Sequence, residues 1–527
     1  MDSGIVPERI HTRIMITILS RREFIAASAL SLAATRLRAQ DRKQIEVNLV
    51  IPGEATGAHM PADFVGLSYE IEQLADPAFF SGRNAGLIHA FKALSPSGAL
   101  RLGGNTGEFA WWKATPDSPE PEHPKTREVV GEPKASYYAV TSEAVRNLAA
   151  FLEATGWTCI YGINMGTNTP ARAAEEAEFV AKALGSRLQY FQIGNEADLF
   201  DRHLRDPQTW SATTYLTEWL TLARAISARV PGAGFGMPDI ANHMPWLTQI
   251  ADAWSAIPDQ PRVSTLSHHY YFGGPATNPE VIIPNLLKPA TMVKVQGMAD
   301  TAASAAAKMG IRHRMTEGNT CYRGGKPGLS DVFAAALWAA DYSLLLAANN
   351  YCGINLHGGT GMSVANGLGG SLPGDVMLKE QGATPEQIAT HPHPFYTPIG
   401  TFGSDYVLEP VAYGLRFAGS FSGGSFIQAD LTSQLQAAGI NATAYAAKLA
   451  RGQASVIVLN KDLEIDLTLR LDFGAERSAA VQIETLHAPS VESREAYITR
   501  AANSGRLKNG KVTVAVPHAS ALRVTVI

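Results

Sequence analysis

The 527-residue sequence has only three cysteines, Cys159, Cys321 and Cys352, and none are paired at CxxC spacing. That argues against a structural zinc site and leaves three buried free thiols as the expectation. A disulfide between two of them is an option in an oxidising compartment, but nothing demands it. No apolar run is long enough to cross a bilayer. There is no low-complexity tail and no long block of like charge, so disorder is confined to the extreme N-terminus. Charged residues make up 17% of the chain against 46% apolar residues, the balance of a globular protein with a large core. The formal net charge is -4, and a mild acidic excess argues against broad nucleic-acid binding, which depends on neutralising phosphates.

The charge is unevenly placed. Residues 1–39 carry six arginines and three acids, leaving 38 basic and 45 acidic residues in the remainder. Ser20-Arg21-Arg22-Glu23-Phe24-Ile25 reads as a twin-arginine box. An apolar stretch from Ile25 to Ala34 and a small-residue site at Leu37-Arg38-Ala39 follow it. Together they read as a cleaved export signal, with a periplasmic or secreted mature protein that has no membrane contact after cleavage.

Residues 40–61 contain an alternating strand, Gln44 to Ile51. Residues 62–420 alternate short apolar strands with Ala- and Leu-rich helical segments. The eight strand candidates are Phe64–Glu70, Ala99–Asn105, Thr158–Met165, Leu188–Glu196, Gly234–Ile240, Thr265–Tyr271, Arg312–Glu317 and Cys352–His357. Eight such repeats predict an α/β fold, a closed (β/α)8 TIM barrel. Residues 421–527 lose the helical pattern and show only short strands split by turn residues, which predicts an all-β sandwich. The Gln44–Ile51 strand has no place in the barrel and is expected to pair into that sandwich.

Seven of the eight barrel strands end in polar or Gly-rich clusters, including Gly103-Gly-Asn105, Gly194-Asn-Glu196 and Glu317-Gly-Asn319. In a barrel these ends share one rim, where active sites are built. Glu196 closes the fourth strand and Glu317 the seventh, so their side chains can meet over the barrel centre. Two carboxylates in that position suit glycosidic bond cleavage: Glu317 as nucleophile, Glu196 as general acid and then base. Their mutual repulsion should keep Glu196 protonated near working pH. His268 and His269 point to opposite strand faces and lack a third partner, so no metal is expected and no cofactor either. His357 reads as a hydrogen-bonded pocket residue, and Arg323 and Lys326 as solvated loop charges. Trp111-Trp112 suits a sugar-stacking platform and core packing equally.

Three runs carry a resemblance to a known family. They are Arg101-Leu-Gly-Gly-Asn105, Ser267-His-His-Tyr-Tyr271, and Glu317-Gly-Asn-Thr-Cys-Tyr322-Arg-Gly-Gly325 continuing to Leu329-Ser-Asp331-Val-Phe-Ala-Ala335. They resemble glycoside hydrolase family 79, the β-glucuronidase and heparanase family. The resemblance implies that Tyr270 hydrogen-bonds the nucleophile and that Asn195 contacts the sugar 2-hydroxyl. It implies that Tyr322, with the N–H groups of Gly324 and Gly325, receives the substrate's C6 carboxylate. Glu70 and Asn105 are candidates for sugar hydroxyl contacts, and Tyr396 for a further phenol. Arg323 departs from the pattern, where relatives carry a glycine, and places a cation beside the expected carboxylate site. The long Gly359–His391 segment, without clear periodicity, is expected to narrow the pocket. With no dense basic cluster for a polyanion, the expectation is an exo-acting, retaining β-glucuronidase whose partner is a carbohydrate. The alternatives are another retaining exo-β-glycosidase, such as a β-glucosidase or β-xylosidase, and a non-catalytic carbohydrate-binding homologue.

Overall fold

Eight parallel strands close into a barrel in the computed structural model, in the order of the chain. They are β1 (Val65–Glu70), β2 (Ala99–Gly103), β3 (Thr158–Ile163), β4 (Leu188–Ile193), β5 (Phe235–Ile240), β6 (Val263–Gly273), β7 (Arg312–Cys321) and β8 (Ile354–Gly358). The structure describes residues 43–527 except 56, 131, 133, 390–392, 475–477 and 502–504. The expected export signal, residues 1–39, lies outside the described residues.

β1, β2, β5 and β8 are buried at every position, as strands covered by helices outside and side chains inside must be. The helices start where the sequence supplies caps. Thr141 accepts the N–H of Ala144, and Thr169 accepts that of Arg172 ahead of Pro170. The helix Phe333–Ala348 after β7 has no polar face. It is buried all round because the C-terminal sheets cover the side turned away from the barrel.

Those sheets are two. A six-stranded sheet contains Ala442–Lys448, Ala454–Asn460, Ser520–Val526 and Val481–His487, with short edge strands Ser425–Ile427 and Tyr497–Arg500. A three-stranded sheet joins Gln44–Val50, Asp466–Asp472 and Lys511–Val516, with Gln44–Val50 running parallel to Asp466–Asp472. Leu49, Leu467, Leu469, Leu471, Val514 and Val516 of the smaller sheet share one core with Val456, Val458, Leu522 and Val524 of the larger. The fold is thus a (β/α)8 barrel carrying an all-β sandwich. One helix, Leu431–Ala437, survives beyond residue 421, where the sequence suggested none; Leu431 and Leu435 plug the sandwich core.

The sandwich is bolted to the barrel through a buried charge. Asp341, fully enclosed in the Phe333–Ala348 helix, takes hydrogen bonds from Thr443 and Tyr445, both at 2.8 Å, and the ammonium of Lys461. The first N–H groups of that helix, at Phe333 and Ala334, donate to the carbonyls of Ser493 and Val491.

The Gly359–His391 segment is not structureless. It forms helices Gly361–Asn366, Pro373–Glu380 and Pro385–Ala389. The first is seated on the rim, where Asn366 bonds Glu72 and the carbonyl of Gly367 accepts from Asn105. The three cysteines are free and buried. Trp112 packs against Phe179, and neither Trp111 nor Trp112 reaches the cavity described next. Among the described residues, no helix is long and apolar enough to cross a membrane.

Candidate active site

A cavity of about 790 Å³ opens at the C-terminal rim of the barrel, lined by Glu196, Glu317, His269, Tyr271, Glu70 and His357 among others. Ligand atoms of Glu196, His269 and Glu317 all lie within 4.8 Å of one another. The two carboxylates predicted from distant segments therefore do converge, at the close spacing of roughly 5 Å that direct attack on a sugar requires. The same three donors would fit a metal ion by distance, but Arg101 already holds Glu317 and His269 already bridges two carboxylates.

The chain is bent sharply to present Glu196. After β4, Gly194 and then Glu196 adopt left-handed backbone, φ 81° and 48°. A side chain in that region is strained, and the surroundings hold it there. The N–H of Asn195 donates to Glu108 at 2.7 Å, and that of Glu196 to the carbonyl of Asp239 at 2.9 Å. Glu108 is buried and also accepts the N–H groups of Met165 and Gly166. Burial pushes its carboxyl up to about 7 despite those three donors.

Glu317 is held at both oxygens. Arg101 donates to Oε2 at 2.6 Å and Tyr271 to Oε1 at 2.9 Å. Burial alone would raise this carboxyl. His357, His269, Arg101 and the Tyr271 hydroxyl outweigh it and hold the group well below the usual carboxylate range. Glu196 goes the other way. Burial raises it, the neighbouring Glu317 charge adds to that, and the His269 contact opposes it only in part. One carboxylate is kept charged and its neighbour is kept ready to carry a proton, the division of roles that acid-assisted nucleophilic displacement needs.

Behind the pair lies a buried charge network. Arg101 also donates to Asn195 at 2.6 Å, Ser68 at 3.0 Å and Asp239 at 2.5 Å. His269 reaches Glu196 through Nδ1 at 3.0 Å, and its Nε2 stands 3.2 Å from Asp239. Thr316 donates its hydroxyl to Asp239.

Several expectations need correction. Tyr271, not Tyr270, bonds the nucleophile. Among the described residues the hydroxyl of Tyr270 has no hydrogen-bond partner, and its ring packs against Tyr342 at 5.3 Å on the outer face of β6. The reason is strand alternation: Tyr271 shares the inner face with His269. Tyr270 still lines part of the cavity, whereas Asn195 does not; its Oδ1 is taken by Arg101 and its Nδ2 by Asn105. Tyr322 and Arg323 line the cavity, but Gly324 and Gly325 stand behind them, with left-handed φ of 88° and 89°. A Cβ on Gly325 would meet the backbone nitrogen of Tyr396 at 2.7 Å. Lys326 is not solvated; its ammonium donates to the carbonyls of Asn278 and Val281. Glu70, Asn105 and Tyr396 do line the cavity, with Glu70 already accepting the N–H and hydroxyl of Thr106. Arg101, Asp239 and Glu108 were missed as members of the site. Each is a charge set in or beside an apolar run, and such a residue is buried only with a partner, which was the available signal.

A closed barrel whose fourth and seventh strands deliver two unlike carboxylates to one rim is the framework of a glycosidase, and the comparisons agree. The chain is 26% identical over 377 residues to a β-glucuronidase of Aspergillus niger, an alignment spanning 66% of this chain and 67% of that protein. It is 26% identical over 300 residues to a β-glucuronidase of Neurospora crassa, spanning 51% of each. The chain thus spans about two thirds of one relative's length and half of the other's. Its fold matches a 4-O-α-L-rhamnosyl-β-D-glucuronidase from Fusarium oxysporum with a TM-score of 0.68 at 16% identity, covering 90% of this chain and all of that one. It also matches the family 51 arabinofuranosidase of Xanthomonas axonopodis pv. citri, TM-score 0.62 at 15% identity, covering 92% and 100%. No family model matches. The chain is thus similar in sequence to β-glucuronidases and shares the barrel-and-sandwich fold of glycoside hydrolases.

Proposed function

We propose that the protein is a retaining exo-β-glucuronidase that releases terminal β-D-glucuronic acid through a covalent glycosyl-enzyme. The observation that carries the retaining reading is the approach of the two carboxylates to within 4.8 Å, with burial raising Glu196 and the surrounding cations lowering Glu317. In the first step a Glu317 oxygen attacks the anomeric carbon and forms an ester bond. The glycosidic C–O bond breaks, and the departing oxygen takes its electron pair together with the Glu196 proton. In the second step the Glu196 carboxylate removes a proton from water. The resulting hydroxide attacks the same carbon, the ester C–O bond breaks and Glu317 recovers its charge. No cofactor takes part.

The C6 carboxylate is read by Tyr322 and by Arg323, which places a cation and a phenol together in the cavity wall. Exo action is supported by the Gly361–Asn366 helix and the turn after it, which sit on the rim beside Glu70 and Asn105 and add Val364 and Leu368 to the wall. The catalytic barrel is assigned to residues 62–420 and the sandwich to 421–527 joined by the 40–61 strand. The Arg21-Arg22 box directs export through the twin-arginine route; an R21K/R22K precursor should stay in the cytoplasm.

The test is a panel of aryl β-glycosides, namely glucuronide, glucoside, xyloside and galacturonide, compared by kcat/KM. The glucuronide should exceed the glucoside by at least a hundredfold. Equal rates would overturn the acid-specific reading and favour a β-glucosidase or β-xylosidase. Glu317→Gln should abolish turnover, and Glu196→Ala should be rescued by azide.

A further inference from the structure

We propose that Asp239 is a positioning residue that locks the proton donor and the nucleophile into one electrically balanced unit, acting through His269 on one side and Arg101 on the other. The inference rests on the glycosidase reading above.

Asp239 is wholly enclosed at the end of β5 and touches neither the cavity nor any substrate. Yet it is one bond away from both reacting carboxylates. Its Oδ2 meets Arg101 at 2.5 Å, and Arg101 in turn grips Glu317. The same oxygen stands 3.2 Å from His269 Nε2, and the other ring nitrogen of His269 meets Glu196 Oε1. Its Oδ1 accepts from Thr316, on β7 beside Glu317. Its own carbonyl accepts the N–H of Glu196. The residue sits at φ 57°, a conformation an ordinary side chain avoids. A buried carboxylate in strained backbone, engaged on every side, is doing something packing does not require.

Charge counting shows what. Counting Glu196, Glu317 and the three groups that link them, and leaving outside the count His357 and Glu70, which face each other at 3.6 Å, the cluster with Glu196 protonated holds the cations Arg101 and imidazolium His269 and the anions Asp239 and Glu317. The sum is zero. After the first step Glu317 is a neutral ester and Glu196 is an anion, and the sum is zero again. A buried site therefore crosses the reaction without acquiring net charge, which would be costly there. This balance requires His269 to remain an imidazolium. Nδ1 hydrogen-bonds Glu196 and Nε2 stands 3.2 Å from Asp239 in a charge contact without hydrogen-bond geometry; burial pulls the ring down, and Asp239, first among its neighbours, lifts it to about 10. His269 then donates to Glu196 Oε1 and leaves the acid's proton on Oε2, which bonds nothing among the described residues.

The charged and titratable groups that face Asp239 are Arg101 from β2 and His269 and His268 from β6, with Glu196 and Glu317 one step further; burial lowers His268 to about 4. Tyr190 of β4 and Tyr215 of the Ala212–Arg229 helix lie near it and stay neutral. Removing the fixed negative charge lowers every ionisation of the His269–Glu196 pair, so the proton needed by the leaving group is lost at lower pH.

The test uses the full-length enzyme and its Asp239→Asn variant, with kcat/KM for phenyl β-glucuronide measured across pH. The basic limb should move down by about one pH unit. The loss in kcat should be at least tenfold for phenyl and smaller for 2,4-dinitrophenyl glucuronide, whose leaving group needs no proton. In ¹⁵N-histidine NMR, His269 should hold both protons to high pH in the wild type and titrate nearer neutrality in the variant. Superimposable pH profiles and an unmoved His269 resonance in a folded variant would overturn the proposal. If Asp239→Asn does not fold, His269→Gln cuts the next link, and its basic limb should rise; an unmoved limb would overturn the proposal equally. A wild type inactive on glucuronides but active on another glycoside sinks only the substrate reading, because the same profiles can be taken on that glycoside.

Discussion

Replacing Tyr271 and Tyr270 separately with phenylalanine divides two neighbours that differ by one hydroxyl contact. The Tyr271 hydroxyl donates to Glu317 Oε1 at 2.9 Å, whereas the Tyr270 hydroxyl has no partner among the described residues. A hydrogen bond to a charged group is worth about 1.5–3 kcal/mol, and one pKa unit corresponds to about 1.4 kcal/mol. Because the bond favours the charged form, losing it raises Glu317. Arg101, His269 and His357 remain in place and contribute more, so the lower end applies. The expected shift is about one unit upward. Glu317 must be anionic to attack, so its ionisation sets the acidic limb of kcat/KM. Tyr271→Phe should move that limb toward neutrality by about one unit and cost about tenfold on its acid side. Tyr270→Phe should leave the profile where it was. The assay is hydrolysis of an aryl glucuronide from acid to neutral pH. If Tyr270→Phe moves the limb and Tyr271→Phe does not, the account of the nucleophile's surroundings is wrong.

Two further outcomes concern stability. Lys461→Met leaves Asp341 at the barrel–sandwich junction without its cation, held only by the Thr443 and Tyr445 hydroxyls, so urea unfolding should show a loss of about 3 kcal/mol, with KM unchanged because neither residue lines the cavity. Gly414→Ala would drive a Cβ into the backbone carbonyl of Ala336 in the Phe333–Ala348 helix. A loss of at least about 1–3 kcal/mol is expected, visible as a lowered Tm.

The barrel could be read from the chain because each strand is an apolar run punctuated by a polar end, and because helical segments fall between them. Glu196 and Glu317 could be read because a lone acid in or just beyond an apolar strand has few reasons to be there, although β7 runs on past Glu317 to Cys321 and β4 stops at Ile193, short of Glu196. The Tyr270–Tyr271 choice turned on which face of β6 looks inward, and two adjacent tyrosines carry no hydrophobic contrast to decide it. His269 held the answer, since residues two apart share a face. Arg101 and Asp239 stayed hidden for another reason. Their partners lie across the barrel, separated by 138 residues in sequence, and only closure of the sheet brings them together. The three short helices after β8 were masked by glycines, although Pro373 and Pro385 each mark a helical first turn.

Covalent trapping tests the central claim most directly. The enzyme is incubated with a 2-deoxy-2-fluoro-β-glucuronosyl fluoride, digested, and its peptides are weighed and sequenced by mass spectrometry. The account predicts one fluorosugar per chain, bound to the peptide containing Glu317 and to that side chain. A label on Glu196, or an active enzyme that takes no label and releases sugar with inverted anomeric configuration, would contradict it.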